Sequence, residues 1–356
     1  MKLDYKSIVN DSATQAILIT DPYNLRYYTG FRGGEGVAYI SGNGSMVLIT
    51  DSRYTEAAGK ECYGGFVVEE FTAKRSISDI LKEYISSDNV SVLGFENKSI
   101  SYDAYNKYST KLDGITFKPL DDILLKPRQI KTPEEITLLR KAEHIGDLAF
   151  EDILGILKPG MPELEVAAEI EYSLKKHGAE GLSFDTIAAS GVNSSMPHAI
   201  PSTKKLAKNE FITMDFGCKY QGYCSDMTRT VCLGQPSDDM KKIYNIVLSA
   251  QLAVLDGIKP GMMCKEVDGI ARDYIKEQGF GDYFGHGLGH GVGLYIHESP
   301  SFNTRDETIL KPGMIETDEP GIYLPGQFGV RIEDMILITE DGCESLASSP
   351  KELIIL

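Results

Sequence analysis

The stretch His286-Gly287-Leu288-Gly289-His290-Gly291-Val292-Gly293-Leu294-Tyr295-Ile296-His297-Glu298 holds three of the chain's six histidines. Gly287, Gly289, Gly291 and Gly293 alternate with larger residues through its middle. Such alternation is expected of a strand that another backbone or a ligand approaches closely. Histidine is a scarce side chain that titrates near neutral pH, so its clustering points to chemistry rather than to a glycine-rich loop with incidental imidazoles. Whether that chemistry uses a metal depends on acidic partners elsewhere in the chain.

Two pairs of carboxylates answer to that description. Asp215, in Phe211-Ile212-Thr213-Met214-Asp215-Phe216-Gly217, and Asp226, in Tyr223-Cys224-Ser225-Asp226-Met227-Thr228-Arg229-Thr230-Val231, lie on two β-type runs joined by a turn around 219–222. A tight turn centred on Tyr220 and Gln221 sets Asp215 opposite Asp226 on one face. Like charges directly opposed destabilise a sheet, so a positive ion between them is the economical expectation. Further on, Glu319 and Glu333 flank the turn-rich 323–328 and meet across a second strand pair; their neighbours Asp318 and Asp334 face the other way, as supporting or solvated groups. Four carboxylates and one imidazole make an oxygen-rich donor set that suits Mn(II), Co(II) or Zn(II) rather than a thiolate site. That many anions suit two bridged ions better than one. Cys218 and Cys224 flank the aspartates as core or turn residues.

Upstream, residues 1–125 read as an α/β domain. Short β-type runs occupy 16–20, 37–40, 46–50 and 90–95, with helices near 54–60, 76–86 and 102–111 and turns at Asp21-Pro22 and Ser41-Gly42-Asn43-Gly44. Asp51-Ser52-Arg53-Tyr54 reads as a turn at a strand end, and no phosphate-binding glycine motif is present. The second domain, 126–356, opens at Thr132-Pro133-Glu134-Glu135, where Thr132 and Glu135 form a capping box and Pro133 suits the first turn. Within it Lys158-Pro159-Gly160-Met161 recurs as Lys259-Pro260-Gly261-Met262, and the same offset maps Glu165-Val166 onto Glu266-Val267 and Gly178 onto Gly279. Two similar halves are expected, with a site at their junction drawing on both. His144 and His177 fall in helices and take structural roles.

Composition bounds the rest. A chain of 356 residues with 42% hydrophobic content has room for two domains with proper cores. A net charge of -16 argues against nucleic acid as a partner. Six cysteines without a Cys-x-x-Cys pair fit a reducing cytoplasm. Met1-Lys2-Leu3-Asp4-Tyr5-Lys6 lacks the pattern of a signal peptide, and no apolar run reaches membrane-spanning length.

Taken together, the histidine stretch, Met214-Asp215-Phe216-Gly217, Ser225-Asp226-Met227-Thr228-Arg229-Thr230, Asp318-Glu319-Pro320-Gly321-Ile322-Tyr323 and Val330-Arg331-Ile332-Glu333-Asp334 resemble the Xaa-Pro peptidases of the pita-bread metallopeptidase family, which includes prolidase, aminopeptidase P and methionine aminopeptidase. The resemblance implies an α+β chain: an N-terminal α/β domain of creatinase/prolidase type, then a pita-bread catalytic domain with two pseudo-symmetric halves. It implies metal ligands Asp215, Asp226, His290, Glu319 and Glu333, with Asp226 and Glu333 bridging two ions, most simply Mn(II). His198 and His297 would serve the substrate and the tetrahedral intermediate, and Glu319 would also shuttle a proton. His286 would line the proline side of the cleft, and Arg331 would orient substrate or neighbouring carboxylates. The glycines of 286–298 would let a substrate backbone approach the metals. The expected activity is that of an Xaa-Pro aminopeptidase on proline-containing peptides, in a homodimer, with Xaa-Pro dipeptidase as the alternative. The N-terminal domain disfavours methionine aminopeptidase; the complete ligand set disfavours a creatinase-like amidinohydrolase and a non-catalytic peptide-binding module. Glu316-Thr317-Asp318 departs from the apolar residues common ahead of the ligand Glu319 in this family.

Overall fold

A computed structural model describes residues 4–356, so the Met1–Leu3 part of the N-terminal hexapeptide lies outside the described residues. The chain divides into two compact units, one ending at Arg128 and one running from Gln129 to Leu356.

The first unit is built on a six-stranded sheet of β1 (Ala16–Ile19), β2 (Val37–Ser41), β3 (Met46–Thr50), β4 (Val67–Glu70), β5 (Val92–Phe95) and β6 (Thr116–Pro119), in the order β4-β3-β2-β1-β5-β6. Pairings with β2 are antiparallel and the others parallel. Its helices are α1 (Tyr5–Asp11), α2 (Pro22–Thr29), α3 (Thr55–Glu61), α4 (Ile77–Ser87) and α5 (Tyr102–Lys111). Four of the six strands coincide with the β-type runs of the sequence; β4 and β6 carry no alternation to betray them, being short edge strands with half-exposed faces. The Asp21-Pro22 turn is a helix start instead. Asp21 accepts the N–H groups of Tyr23 and Asn24, and Pro22 occupies the first turn of α2, where its missing N–H costs nothing.

The second unit begins at the end of the short α6 (Lys126–Gln129). The capping box forms: Glu135 N–H donates to Thr132 Oγ1 and Thr132 N–H to Glu135 Oε2, opening α7 (Pro133–Leu154). Helices α8 (Glu163–Lys176), α9 (Asp238–Gly257) and α10 (Cys264–Glu277) follow, α7 packing on α8 and α9 on α10. The repeat is structural. The two equivalent helices begin at 163 and 264 and end at 176 and 277, the same offset as the Lys-Pro-Gly-Met copies at 158 and 259. In both copies the loop glycine (Gly160, Gly261) and the glycine closing the second helix (Gly178, Gly279) have positive φ, where a side chain would be strained. Gly160 N–H bonds Leu206 O, and Gly261 N–H bonds Leu310 O, so each loop is clamped alike.

The strands of the first half are β7 (Gly181–Leu182), β8 (Ile187–Ser190), β9 (Glu210–Phe216), β10 (Cys218–Tyr220), β11 (Tyr223–Cys224) and β12 (Met227–Leu233). Those of the second are β13 (Gly289–Gly291), β14 (Glu298–Phe302), β15 (Ile315–Asp318), β16 (Gly321–Leu324), β17 (Phe328–Arg331), β18 (Asp334–Ile338) and β19 (Cys343–Ser345). The sheets run β12-β9-β8 and β14-β13-β15-β18-β19, with β10 between β11 and β7 and β16 paired to β17. Each half has its own apolar core: Ile145, Phe150, Ile170, Ile212 and Met214 in the first, Ile243, Val247, Val267, Phe302 and Ile336 in the second. Fully burying each such side chain contributes about 1.5–3 kcal/mol.

Candidate metal centre

The site forms where the strands of the two halves meet. The β10–β11 hairpin turns at Gln221 and Gly222, both at positive φ, with Tyr220 paired to Tyr223. Asp215 is therefore paired with Thr228 on β12, not with Asp226. The turn sits one residue later than the sequence suggests, which moves the register by two. An even shift leaves every side chain on its expected face, so Asp226 still points with Asp215 into the same cavity. In the second half Asp318 pairs with Asp334 and Gly321 with Arg331, leaving Glu319 and Glu333 facing each other in the gap between the two strand pairs, as the sequence leads one to expect. Glu333 N–H then donates to Thr228 O and joins the halves.

His290 enters from β13, whose register with β14 slips between His290 and Gly291. A bulge of this kind re-aims a side chain locally. Gly289 and Gly287 beside it admit the protein's own backbone. A Cβ on Gly289 would collide with the carbonyl oxygen of Thr317, and one on Gly287 would lie 2.8 Å from that of Phe302.

Asp226, His290 and Glu333 bring one ligand atom each to within 4.8 Å of one another, the right disposition to hold a metal ion. Glu319 Oε1 lies 3.6 Å from His290 Nε2, and Asp226 Oδ2 lies 3.5 Å from it. Asp215 stands at the side of this group. Its Oδ2 accepts from Arg331 Nη2 at 2.6 Å, while its buried Oδ1 has no partner. Burial pushes the carboxyls of Asp226 and Glu333 well above the carboxylate range, and Glu333 and Glu319 respectively add like-charge repulsion. Burial likewise raises Glu319 to about 8. So much acid gathered with one arginine is stable in ionised form only around added positive charge. The residues fit divalent metal.

The surrounding cavity, about 630 Å³, is lined by all nine side chains singled out in the sequence: His198, Asp215, Asp226, His286, His290, His297, Glu319, Arg331 and Glu333. His290 and His286 are both pulled down to about 4 by burial and so stay neutral, the form in which imidazole ligates metal. His297 is exposed, its ring 4.6 Å from that of His290, and burial of its inner edge lowers it too. His198 stands exposed on the cavity wall, following Pro197. Of the other histidines, His144 is exposed on α7 and His177 contacts Asp152 at 3.0 Å, both away from the cavity.

Sequence reasoning misses three supporting residues. Thr228 donates its hydroxyl to Glu333 Oε2 at 2.6 Å and accepts from Arg331 Nε at 3.0 Å. Its i+2 spacing from Asp226 is a usable sign that both share a strand face. Tyr323 places its hydroxyl 2.8 Å from Arg331 Nη1 and 2.9 Å from His286 Nε2, tying the histidine stretch to the arginine. Glu143 is fully buried on the apolar face of α7, where an acid is anomalous, and accepts the N–H of Asp226 at 3.4 Å. Asp318 and Asp334 are also fully buried, so solvation does not account for either.

The metallopeptidase family M24 model matches residues 137–340, and the creatinase/prolidase N-terminal domain model matches residues 6–130. The chain belongs to metallopeptidase family M24. An Xaa-Pro dipeptidase of Pyrococcus furiosus is 41% identical over 97% of each chain. The solved structure of an Xaa-Pro dipeptidase from Bacillus anthracis superposes with a TM-score of 0.95 at 44% identity, covering 99% of this chain and 98% of that one. That of an X-Pro aminopeptidase from Thermotoga maritima gives 0.92 at 37% identity, covering 98% and 100%. This M24 chain has the pita-bread fold preceded by a creatinase/prolidase N-terminal domain. It is a hydrolase of the metal-dependent peptidase type. No helix among the described residues is long and apolar enough to cross a membrane.

Proposed function

We propose that this M24 peptidase is an Xaa-Pro dipeptidase that hydrolyses the peptide bond preceding proline with two divalent ions, most simply Mn(II), with Co(II) or Zn(II) able to substitute. The observation that carries the reading is the convergence of Asp226, His290 and Glu333 within a cavity of small-peptide size, with Asp215 and Glu319 on its wall. The sequence motifs favour the aminopeptidase. The dipeptidases of Pyrococcus furiosus and Bacillus anthracis, at 41% and 44% identity, shift the balance to the dipeptidase.

In this reading Asp215, Asp226, His290, Glu319 and Glu333 would hold the ions. The chemistry such ions supply is Lewis acidity, which lowers the pKa of water to near neutrality and polarises a carbonyl. Glu319, ionised once cations offset the burial and like charge that otherwise raise it, would take a proton from the attacking water and pass it to the departing proline nitrogen. His297, beside His290, donates a hydrogen bond to the developing oxyanion. His198 steadies the substrate from the cavity wall, and neutral His286, held by Tyr323, lines the proline side. Arg331 fixes Asp215 through a 2.6 Å ion pair to one oxygen and leaves the other without a protein partner. The homodimer implied by the family resemblance belongs to the same proposal, as does the cytoplasmic location, which the six free cysteines support.

The test assays Leu-Pro beside Leu-Pro-Ala, with Mn(II) and then with EDTA. Cleavage of the dipeptide alone, lost on chelation and restored by Mn(II), is expected. Preferential cleavage of the tripeptide would return the activity to the aminopeptidase class, and cleavage indifferent to EDTA would reject the metal mechanism.

A further inference from the structure

Five carboxylates line the cavity, and four of them form the cluster already described. The fifth, Asp185, is exposed and makes no hydrogen bond or ion pair with any described residue. It stands just ahead of β8, between Phe184 and Thr186, and the next residue, Ile187, lines the cavity too. The Thr186 hydroxyl is buried and has no hydrogen-bond partner. No lysine lines the cavity, and its one arginine, Arg331, is buried and bound to Asp215. Nothing within the site therefore neutralises Asp185.

Register locates this free acid relative to the metal cluster. Ile187 is the cross-strand partner of Asp215. Asp185 lies two residues before it, roughly 6–7 Å along the strand direction at the usual rise per residue. A substrate's α-ammonium is one carbon from the scissile carbonyl and must stay beside the cluster. An extended lysine side chain carries its charge roughly 6 Å from Cα, taking standard bond lengths. The offset matches a side chain, not the backbone amine. Phe184 and Ile187 offer apolar surface for the methylene stem.

We propose that Asp185 is a specificity-determining residue that receives the cationic side chain of the residue before the scissile bond, favouring Lys-Pro and Arg-Pro among dipeptide substrates. The assignment rests on the Xaa-Pro reading above. It is tested on the full chain loaded with Mn(II), by measuring kcat/KM for Lys-Pro, Leu-Pro and Glu-Pro at neutral pH. Asp185→Asn is expected to lower the Lys-Pro to Leu-Pro ratio roughly three- to tenfold, through KM rather than kcat, the worth of a partly desolvated charge pair. Asp185→Lys is expected to raise the Glu-Pro to Leu-Pro ratio. An active enzyme whose ratios do not move, or in which all three substrates fall together, overturns the role of Asp185 while leaving the dipeptidase reading intact. If the parent enzyme cleaves none of the three, that reading falls and takes this assignment with it.

Discussion

Glu333 and Asp334 are consecutive, both buried, and they serve opposite electrostatic environments. Asp334 accepts from Arg229 Nη2 at 2.7 Å, Lys351 Nζ at 2.6 Å and Ser345 Oγ at 2.7 Å. Burial works to raise its pKa, but Arg229 and Lys351 together hold it below the ordinary value. Glu333 turns the other way, toward Asp226 and Glu319, with the Thr228 hydroxyl as its short contact, and is pushed well above the ordinary value. One strand end thus carries a compensated acid that locks the fold and an uncompensated one that needs a cation from outside. Burial is common to both carboxylates; the missing cationic partner is what sets Glu333 apart.

The strongest way to break this contrast is to neutralise the uncompensated side. Asp226→Asn and Glu333→Gln should each lower turnover a thousandfold or more, about 4 kcal/mol of barrier. The metal-free form of each variant should melt no lower than the parent, since a buried repulsion is removed; a metal-free variant that unfolds would show the acids to be structural. Arg229→Met attacks the compensated side. It leaves Asp334 buried without its main partner, and urea unfolding should show a loss of about 3–5 kcal/mol.

Metal and pH separate the two sides further. Mn(II) at a hundred times its dissociation constant should stabilise the chain by about 2.7 kcal/mol over the EDTA-treated form, read as a shift in the urea midpoint. In the metal-free protein the cluster carboxyls have folded pKa values above their unfolded ones, so the stability they contribute is present in acid and lost as pH rises, for Glu319 between 4.5 and about 8. Asp334 has the opposite sign: its contribution is present above 3.8 and lost as pH falls below that value. A metal-free chain with no loss of stability between 4.5 and 8 would contradict the cluster's electrostatics. The smallest effect belongs to Lys351→Met, because Asp334 keeps Arg229; about 1 kcal/mol is expected from the same urea titration.

Much of the site is legible in the amino-acid sequence because its parts are local. Every candidate side chain lies on the cavity wall, and the motif around His290 identifies its surroundings as strand. The hairpin register read from the turn residues is two positions out, yet strand parity keeps Asp215 and Asp226 on one face. The glycines of the histidine stretch are less transparent. Sequence alternation reveals that something approaches closely, but not whether it is substrate or, as at Gly289, the neighbouring strand.

The amino-acid sequence by itself determined the start of α7, through the reciprocal bonds of Thr132 and Glu135, and the two-fold repeat of the helix pairs. Those features rest on interactions within a few residues, which short patterns encode directly. The pairing of Arg331 with Asp215, of Arg229 with Asp334 and of Thr228 with Glu333 was decided only by the tertiary structure. Those partners are more than a hundred residues apart. Which acid receives a cation depends on strand register and on how the two halves meet. The same packing gives otherwise similar carboxylates either a cationic partner that holds the chain together or none.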